Sequence, residues 1–512
     1  MSVFRSSIIY SFFTSISRIF GFLRDIFIAN FLGTGFLADI FFVAFRFPNT
    51  FRRIFSEGAL NSAFVPIYTK LLDDNSNKIS SKFSGSILLI FFLITSLIVI
   101  LIEIFMPAFI ALIAPGYISN EVKFNQLVNV ARIIFPFLIL ISISSIYSSI
   151  LNSNNKFALS ASLPIILNIT LIISLIIAHF TMNNYLIFLS WSVIVAGILQ
   201  VFFLYIALNK LSIETVFTLD IFNNYTTRFF RLFTTSFFAS GLLQINILIG
   251  TIIASYESGA VSYLYYADRV YQLPLALIGI AIGIALLPSI SSKIKSEKNK
   301  KINQSIQETI IVALLFSVPA SVGIFSMSEL IISTLFERGE FNQDSSFYTA
   351  EALKYFSFGL VAFILLKIYT PIFFAYENAK PTLYVTVINL FFNTTLSIIL
   401  FIYMGFVGIA IATSISAWIS VIIMNYYLHK NNYFKVQKKI ILPITMIIFT
   451  SFLIHNYLIF LKKNYLLISE FMKGNDIIFL LFSVLSSIFL YLILISIYKP
   501  FRYSQLKKLL KK

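Results

Sequence analysis

Six arginines interrupt segments that are otherwise apolar, and their chemistry gives the strongest functional signal in this sequence. They are Arg18, Arg24, Arg46, Arg52, Arg53 and Arg269. A charge near the middle of a membrane costs about 2.5–3.5 kcal/mol on insertion scales, so such a cluster needs a watery cavity or an anionic ligand. A guanidinium donates two parallel hydrogen bonds and stays charged, which suits phosphate. The cluster therefore predicts a binding site for a diphosphate.

Helical spacing places several of these side chains on shared faces. Positions seven apart lie on the same face of a helix. Asp39, Arg46 and Arg53 are so spaced. Asn49 and Arg52 form a second stripe beside the first. One helix thus presents three arginines on neighbouring faces.

Carboxylates accompany the arginines. They are Asp25, Asp39, Glu57 and Asp268. Asp25 shares a face with Arg18, and Asp268 is adjacent to Arg269. We expect these acids to pair with the arginines while the site is empty and to exchange partners as a ligand binds and leaves. Structural ion pairs between helices are the alternative, although four acids cannot neutralise six arginines.

The elements that carry these residues are membrane spans. Hydrophobic residues make up 58% of the 512 residues and charged residues 12%, and the mean hydropathy is +0.90. A helix needs about 20 mainly apolar residues to cross a bilayer, and only helices give apolar runs of this length. We predict an all-α polytopic membrane protein with about fourteen transmembrane helices. They lie near residues 4–30, 36–68, 84–112, 127–151, 159–179, 184–208, 228–254, 261–290, 307–327, 347–376, 382–403, 406–428, 438–460 and 477–498.

The net charge of +17 follows the predicted topology. Lys and Arg concentrate in the loops on the side that holds both termini, which the positive-inside rule assigns to the cytoplasm. The sequence therefore predicts a multi-pass protein of the inner (plasma) membrane with both termini cytoplasmic. The basic tail, Lys507 to Lys512, is suited to anionic lipid headgroups. Because membrane topology accounts for the positive charge, we expect no nucleic-acid partner.

An internal repeat relates spans 1–6 to spans 7–12. Matching pairs are residues 45–48 with 271–274, 146–150 with 368–372, and 167–171 with 392–396. An even number of spans per half gives a parallel repeat. We predict an N-lobe at 1–208, a C-lobe at 209–428, and two further spans with a basic tail at 429–512. Pro48 and Pro274 occupy matching places, where each could break its helix beside a transport site.

Enzymatic chemistry is not indicated. The chain has 0 Cys and 3 His without ligand spacing, which excludes thiolate catalysis and gives no metal site. The predicted loops are too short for a soluble catalytic domain. We therefore expect no catalytic residues, no metal and no cofactor.

Several segments together resemble the MurJ (MviN) family of lipid II flippases, within the multidrug/oligosaccharidyl-lipid/polysaccharide exporter superfamily. They are Ser17 to Asp25, Ala38 to Asn49, Arg52 to Pro66, Ala114 to Gly116, Tyr265 to Ser289 and Leu335 to Gly339. They occur in family order across both halves, and the stretch Arg52 to Ala59 is the most specific.

The resemblance implies two six-helix lobes facing a central cavity that opens alternately to each side. It implies that Arg18, Arg24, Arg52 and Arg269 match the family's essential cavity arginines, with Asp39 a further cavity residue. The last two spans would form a lipid-facing groove for a polyprenyl tail. The implied substrate is lipid II, the undecaprenyl-diphosphate-linked peptidoglycan precursor, moved from the cytoplasmic to the periplasmic leaflet. Membrane lipids and cell-wall synthesis enzymes are the other partners considered. Arg46 departs from the family, which often has Lys there.

Three other functions stay open at this point. A sibling exporter would carry another lipid-linked oligosaccharide or polysaccharide, or a drug cation, for which cavity acids are expected instead. A membrane-embedded glycosyltransferase or polymerase would need a catalytic acid or metal beside a sizeable outer loop. A structural scaffold for cell-wall enzymes predicts that neutralising the arginines leaves growth intact.

Overall fold

Helices make up most of the part of the chain that the structure describes. The structure, a computed structural model, describes residues 3–55, 59–74, 77–218, 223–280, 299–465, 468 and 475–498. Across these residues there is no strand, and an isolated bridge joins Arg338 to Phe341. The prediction of an all-α fold is confirmed.

The described helices group into two compact units. The first unit comprises Met1–Ser262 and Arg338–Phe341, and the second Tyr263–Glu337 and Asn342–Lys512. The first eleven helices are α1 Val3–Leu32, α2 Phe36–Ile54, α3 Leu60–Asp73, α4 Asn77–Ile104, α5 Met106–Ile113, α6 Glu121–Ile134, α7 Phe137–Ser153, α8 Phe157–Ala161, α9 Leu163–Phe180, α10 Tyr185–Lys210 and α11 Asn224–Ala254. The others are α12 Ala260–Pro274, α13 Asn299–Phe336, α14 Gln343–Ala375, α15 Lys380–Met404, α16 Phe406–Lys430, α17 Ile441–Lys463 and α18 Asp476–Ser496.

As far as the structure describes them, all fourteen predicted spans fall on helices. The described parts of the second are α2 and α3, which lie on either side of residues 56–58, outside the described residues. The fourth is divided into α6 and α7, and the described part of the eighth is α12 with a π-helical turn at Leu275–Ile280. In the described part of the chain, eleven helical segments are long and apolar enough to cross a membrane. The other three predicted spans, the first, second and eighth, hold the six arginines. The chain is a multi-pass membrane protein.

The two matching prolines behave differently. Pro274 is the last residue of α12, and the backbone continues as the π-helical turn. Pro48 lies inside α2, which runs on to Ile54, so the predicted break at Pro48 is wrong. A proline inside a helix removes one backbone hydrogen bond and costs about 3 kcal/mol. Pro48 is buried, and the packing of α2 offsets that cost.

Asparagine begins five of the described helices. Its side-chain oxygen accepts a backbone N–H of the first turn, which otherwise has no partner within the helix. The five N-caps are Asn120, Asn184, Asn223, Asn342 and Asn475, before α6, α10, α11, α14 and α18. These caps fix where each of these helices starts.

An aromatic core packs α11 against other helices of the first unit. Phe64 and Phe83 stack with ring centroids 5.2 Å apart, and Phe91 meets Phe233 of α11 edge-on at 5.1 Å. Phe229, also on α11, is fully buried in the same cluster. The seventh predicted span therefore packs with the first unit. The division at residues 208 and 428 rests on the sequence repeat and stays a prediction.

Two glycines allow a distant segment to pack against the end of α1. The Glu340 N–H donates to the Asn30 carbonyl at 2.9 Å. Gly339 has φ of 57°, and a Cβ there would lie 2.2 Å from the Asn30 carbonyl oxygen. Gly33 has φ of 63°, and its Cβ would lie 2.4 Å from the Glu340 carbonyl oxygen. Only glycine fits at either position without strain.

Gly339→Ala is expected to lower the free energy of unfolding by about 1–3 kcal/mol, since alanine must adopt a left-handed backbone there. Thermal unfolding of the detergent-purified chain measures this. Gly323→Ala is the matched control, because a Cβ at Gly323 meets nothing within 4 Å. The control is expected to raise stability by up to about 1 kcal/mol, as alanine favours helix. Equal melting of Gly339→Ala and wild type would contradict the close approach.

Candidate functional site

Arg24 is held in a hydrogen-bonded network inside the first unit. Its Nε and Nη2 donate to Oδ1 of Asp25 at 3.0 and 2.6 Å, and its Nη1 donates to Oδ1 of Asn168 at 3.0 Å. Asn168 in turn donates to the Ser17 carbonyl at 3.2 Å. Arg24 is 8% exposed and Asp25 is 1% exposed. The carboxylate occupies the edge of the guanidinium that a phosphate would use.

The neighbouring turns of α1 fit this network closely. A Cβ at Gly21 would lie 3.3 Å from Nδ2 of Asn168, so the small residue lets α9 approach. Arg18, one and a half turns before Arg24, is exposed. Asp25 pairs with its neighbour Arg24, although the sequence placed it on the face of Arg18.

Helix α2 carries the largest group of predicted site residues. Arg52 donates from Nε to Oδ1 of Asn49 at 3.0 Å, which joins the two residues of the second predicted stripe. Arg46 and Arg53 are partly buried. Glu57 lies outside the described residues. The three arginines thus lie in the last three turns of α2.

Asp39, at the start of α2, accepts hydrogen bonds on both of its carboxylate oxygens. It is 0% exposed. One oxygen, Oδ2, accepts from Nζ of Lys123 at 2.8 Å and from the Gly259 N–H at 2.9 Å. The other, Oδ1, accepts from the backbone N–H and the hydroxyl of Ser262 at 3.0 and 2.8 Å. We expected an arginine partner for Asp39; the ion pair is with Lys123.

Lys123 is the site residue that sequence reasoning missed, because it was assigned to a loop. It lies in the first turn of α6 and is 4% exposed. Its Nζ lies 3.9 Å from the ring centroid of Tyr117. Burial and the nearby Asp39 raise the pKa of the Tyr117 hydroxyl, so this side chain stays neutral. The lysine ammonium therefore lies between the Asp39 carboxylate and the face of the Tyr117 ring, and both attract a positive charge.

In the second unit, each of the remaining predicted residues on α12 is hydrogen-bonded to a side chain one turn away. Arg269 donates from Nη2 to the Tyr265 hydroxyl at 3.0 Å, and its Cζ lies 4.7 Å from the Tyr265 ring centroid. Asp268 accepts a hydrogen bond from Nε2 of Gln272. Tyr265 and Arg269 therefore share one face of α12.

The first unit brings together two networks. One fixes Arg24 through Asp25 and Asn168, and the other fixes α2 through Asp39 and Lys123. Asn168 belongs to the repeat segment 167–171 and is not among the predicted site residues. A polar amide in the middle of an apolar span is itself a functional signal, and it could have identified this residue.

Comparison with known proteins decides the family. The family model described as "Lipid II flippase MurJ" matches residues 28–494. The chain belongs to the MurJ family of lipid II flippases. A probable lipid II flippase MurJ of Rickettsia prowazekii (strain Madrid E) is 38% identical over 93% of this chain and 96% of that protein. One of Rhizobium tropici is 36% identical over 88% of this chain and 85% of that protein.

Solved structures agree with the MurJ assignment. A lipid II flippase MurJ in an inward closed conformation superposes with a TM-score of 0.81, at 28% identity, over 96% of this chain and 98% of that chain. An inward-facing multidrug resistance MATE family transporter matches with a TM-score of 0.68 at 13% identity, which shows a shared fold alone. The MurJ family consists of transporters, consistent with the chemistry predicted from the arginines.

Proposed function

We propose that this chain is a lipid II flippase that moves the undecaprenyl-diphosphate-linked precursor from the cytoplasmic to the periplasmic leaflet by alternating access. The membership of the MurJ family and the six arginines in apolar helices support this function. The membrane is the inner (plasma) membrane, with both termini in the cytoplasm, as the distribution of Lys and Arg favours.

The observation that carries the proposal is the bonding of Arg24. The guanidinium N–H groups of Arg24 already donate to a carboxylate. Groups held in this arrangement can also donate two hydrogen bonds to the oxygens of a phosphate. The diphosphate replaces Asp25 at the guanidinium, and Asn168 keeps the side chain in place during the exchange. Arg18, Arg46, Arg52, Arg53 and Arg269 are proposed as further phosphate contacts.

Asp39 has a different part in this proposal. Its four hydrogen bonds leave little capacity for a ligand in the observed conformation. It supports transport by fixing the start of α2, on which Arg46, Arg52 and Arg53 lie. Asp25, Glu57 and Asp268 are proposed as the acids that exchange partners as the substrate binds and leaves.

Arg52→Ala is the first test of the function. The variant is expected not to support growth of a cell depleted of its own lipid II flippase. The reason is that α2 then lacks one of the side chains that donate hydrogen bonds to the diphosphate. Growth after depletion is scored together with the amount of protein inserted in the membrane. Wild-type chain must restore growth in the same cells.

The matched control is Arg228→Ala, an exposed arginine of α11. It is expected to grow as the wild type does. Growth of Arg52→Ala would remove this residue from the site while leaving the function standing. If an inserted wild-type chain itself cannot restore growth, transport of another lipid-linked oligosaccharide becomes the better hypothesis.

A further inference from the structure

The second unit holds a cavity whose lining includes none of the residues of the proposed diphosphate site. Its volume is about 460 Å³, within the range typical of small-molecule sites. It lies where four helices of the second unit have their ends: the last turns of α13 and α17, and the first turns of α14 and α18. Since all four helices belong to predicted spans, the cavity lies at the level of the membrane surface.

Charges of both signs line this cavity. The acids are Glu329, Glu337 and Asp476, and the cation is Lys462. Lys462 pairs with Glu329, and both side chains are about half exposed, so the pair can open to a ligand at small cost. Three carboxylates and one ammonium give the cavity a net negative charge. The charges favour a ligand that is cationic at one point and anionic at another.

Hydrogen-bonding groups also remain for a ligand. Ser346 lines the cavity and is 5% exposed, and within the described residues its hydroxyl has no hydrogen-bond partner. The Tyr465 hydroxyl donates to Oδ1 of Asp476, and this bond raises the pKa of Tyr465, so it stays a donor. Within the described part of the chain, no group of three or more His, Cys, Asp and Glu side chains is close enough to hold a metal ion. Separate carboxylates suit an ammonium better than a metal.

Apolar surface continues from the cavity along the lipid-facing side. Phe347 and Phe479 line the cavity itself. On α18 the large side chains beyond it are exposed, among them Ile477, Leu481 and Leu485. Exposed apolar side chains on a membrane helix contact acyl chains. A ligand with a charged head in the cavity and hydrocarbon along α18 would use all of these features.

We propose that this cavity binds the headgroup of a zwitterionic phospholipid with a primary ammonium. The ammonium is held by Glu337 and Asp476, with Glu329 free to join once it leaves Lys462. The phosphate is held by Lys462, and the Ser346 hydroxyl supplies a further hydrogen bond. The acyl chains lie along the exposed face of α18. None of its lining residues belongs to the proposed transport site, and lipid binding here does not depend on that function.

Lipid retention tests the site. The full chain, purified in detergent, is incubated with equal amounts of phosphatidylethanolamine, phosphatidylcholine and phosphatidylglycerol that share the same acyl chains, and bound lipid is counted by native mass spectrometry. A primary ammonium donates hydrogen bonds to carboxylates and a quaternary one does not. We expect phosphatidylethanolamine to be retained about fivefold better than either other lipid, the upper value for exposed ion pairs.

Variants of the lining residues test whether the preference for phosphatidylethanolamine arises in this cavity. Replacing the three acids together, by Glu329→Gln, Glu337→Gln and Asp476→Asn, is expected to abolish it. Ser346→Ala, which preserves the charges, should weaken retention while keeping the order of the lipids. Glu121→Gln, an exposed acid at the start of α6, should retain lipids as the wild type does.

Two outcomes overturn the proposal. Equal retention of phosphatidylcholine and phosphatidylethanolamine by the wild type would show that no hydrogen-bonding ammonium is recognised. A preference that survives in the triple variant would place the lipid elsewhere. If the triple variant is poorly folded, Glu337→Gln alone gives the same test, because Glu337 lies beyond the end of α13 and is exposed.

Discussion

Asp39→Ala is expected to lower the free energy of unfolding by about 3–5 kcal/mol, the cost of removing one partner from a buried ion pair. The change leaves the Lys123 ammonium buried without its carboxylate, and it deprives the Gly259 and Ser262 N–H groups of their acceptor. Thermal and denaturant unfolding in detergent measure the loss. The same variant should fail to support growth, since α2 is no longer fixed at its start.

A double variant separates charge from contact. Asp39→Ala with Lys123→Met removes both charges and should recover part of the stability, because no unpaired charge stays buried. Asp73→Ala, an exposed acid at the end of α3, should change stability by less than about 0.5 kcal/mol. Equal melting temperatures for Asp39→Ala and Asp73→Ala would show that the buried Asp39–Lys123 ion pair does not stabilise the start of α2.

Arg24→Lys is expected to slow lipid II transport at least about tenfold while the chain still folds. Lysine keeps the charge, but its single ammonium cannot reproduce three donated hydrogen bonds to Asp25 and Asn168. Each hydrogen bond to a charged group is worth about 1.5–3 kcal/mol, and 1.4 kcal/mol is a factor of ten. The rate at which labelled lipid II becomes accessible on the far side of reconstituted vesicles measures the effect.

Two further variants show whether the geometry of Arg24 matters beyond its charge. Asn168→Ala removes the bond that positions Arg24 without touching the guanidinium, so an intermediate rate is expected. Arg228→Lys, an exposed exchange on α11, should transport at the wild-type rate. An unaffected rate for Arg24→Lys would mean that only the charge is used there, and the proposed paired contact with phosphate would fail.

Much of the fold was predictable, since apolar length and helical periodicity determine membrane spans directly. The predicted spans were correct where a single apolar run makes a single helix, as in α10 or α16. They were too coarse where a run holds two helices. The interruption at Pro136, between α6 and α7, follows from the missing N–H and the ring of proline, which mean hydropathy does not report. At Pro48 the opposite error occurred, because the surrounding contacts keep α2 continuous.

The site was predictable in its residue types and only partly in its pairs. Spacing along one helix correctly joined Asn49 with Arg52. It could not find the partner of Asp39, because Lys123 lies on another helix and reaches it through tertiary packing. Asn168 was missed as a partner of Arg24 for the same reason. Contacts within a helix follow from periodicity, whereas contacts between helices require the fold.

The packing of Glu340 against Asn30 has a consequence for biosynthesis. The first unit includes Arg338–Phe341, which are synthesised long after the helices they join. The ribosome synthesises the chain from its N-terminus. The Asn30 carbonyl and the turn at Gly33 therefore lack their contacts with these residues until the ninth predicted span has been made. A chain truncated before Arg338 would hold every helix of the first unit and still lack its last contact.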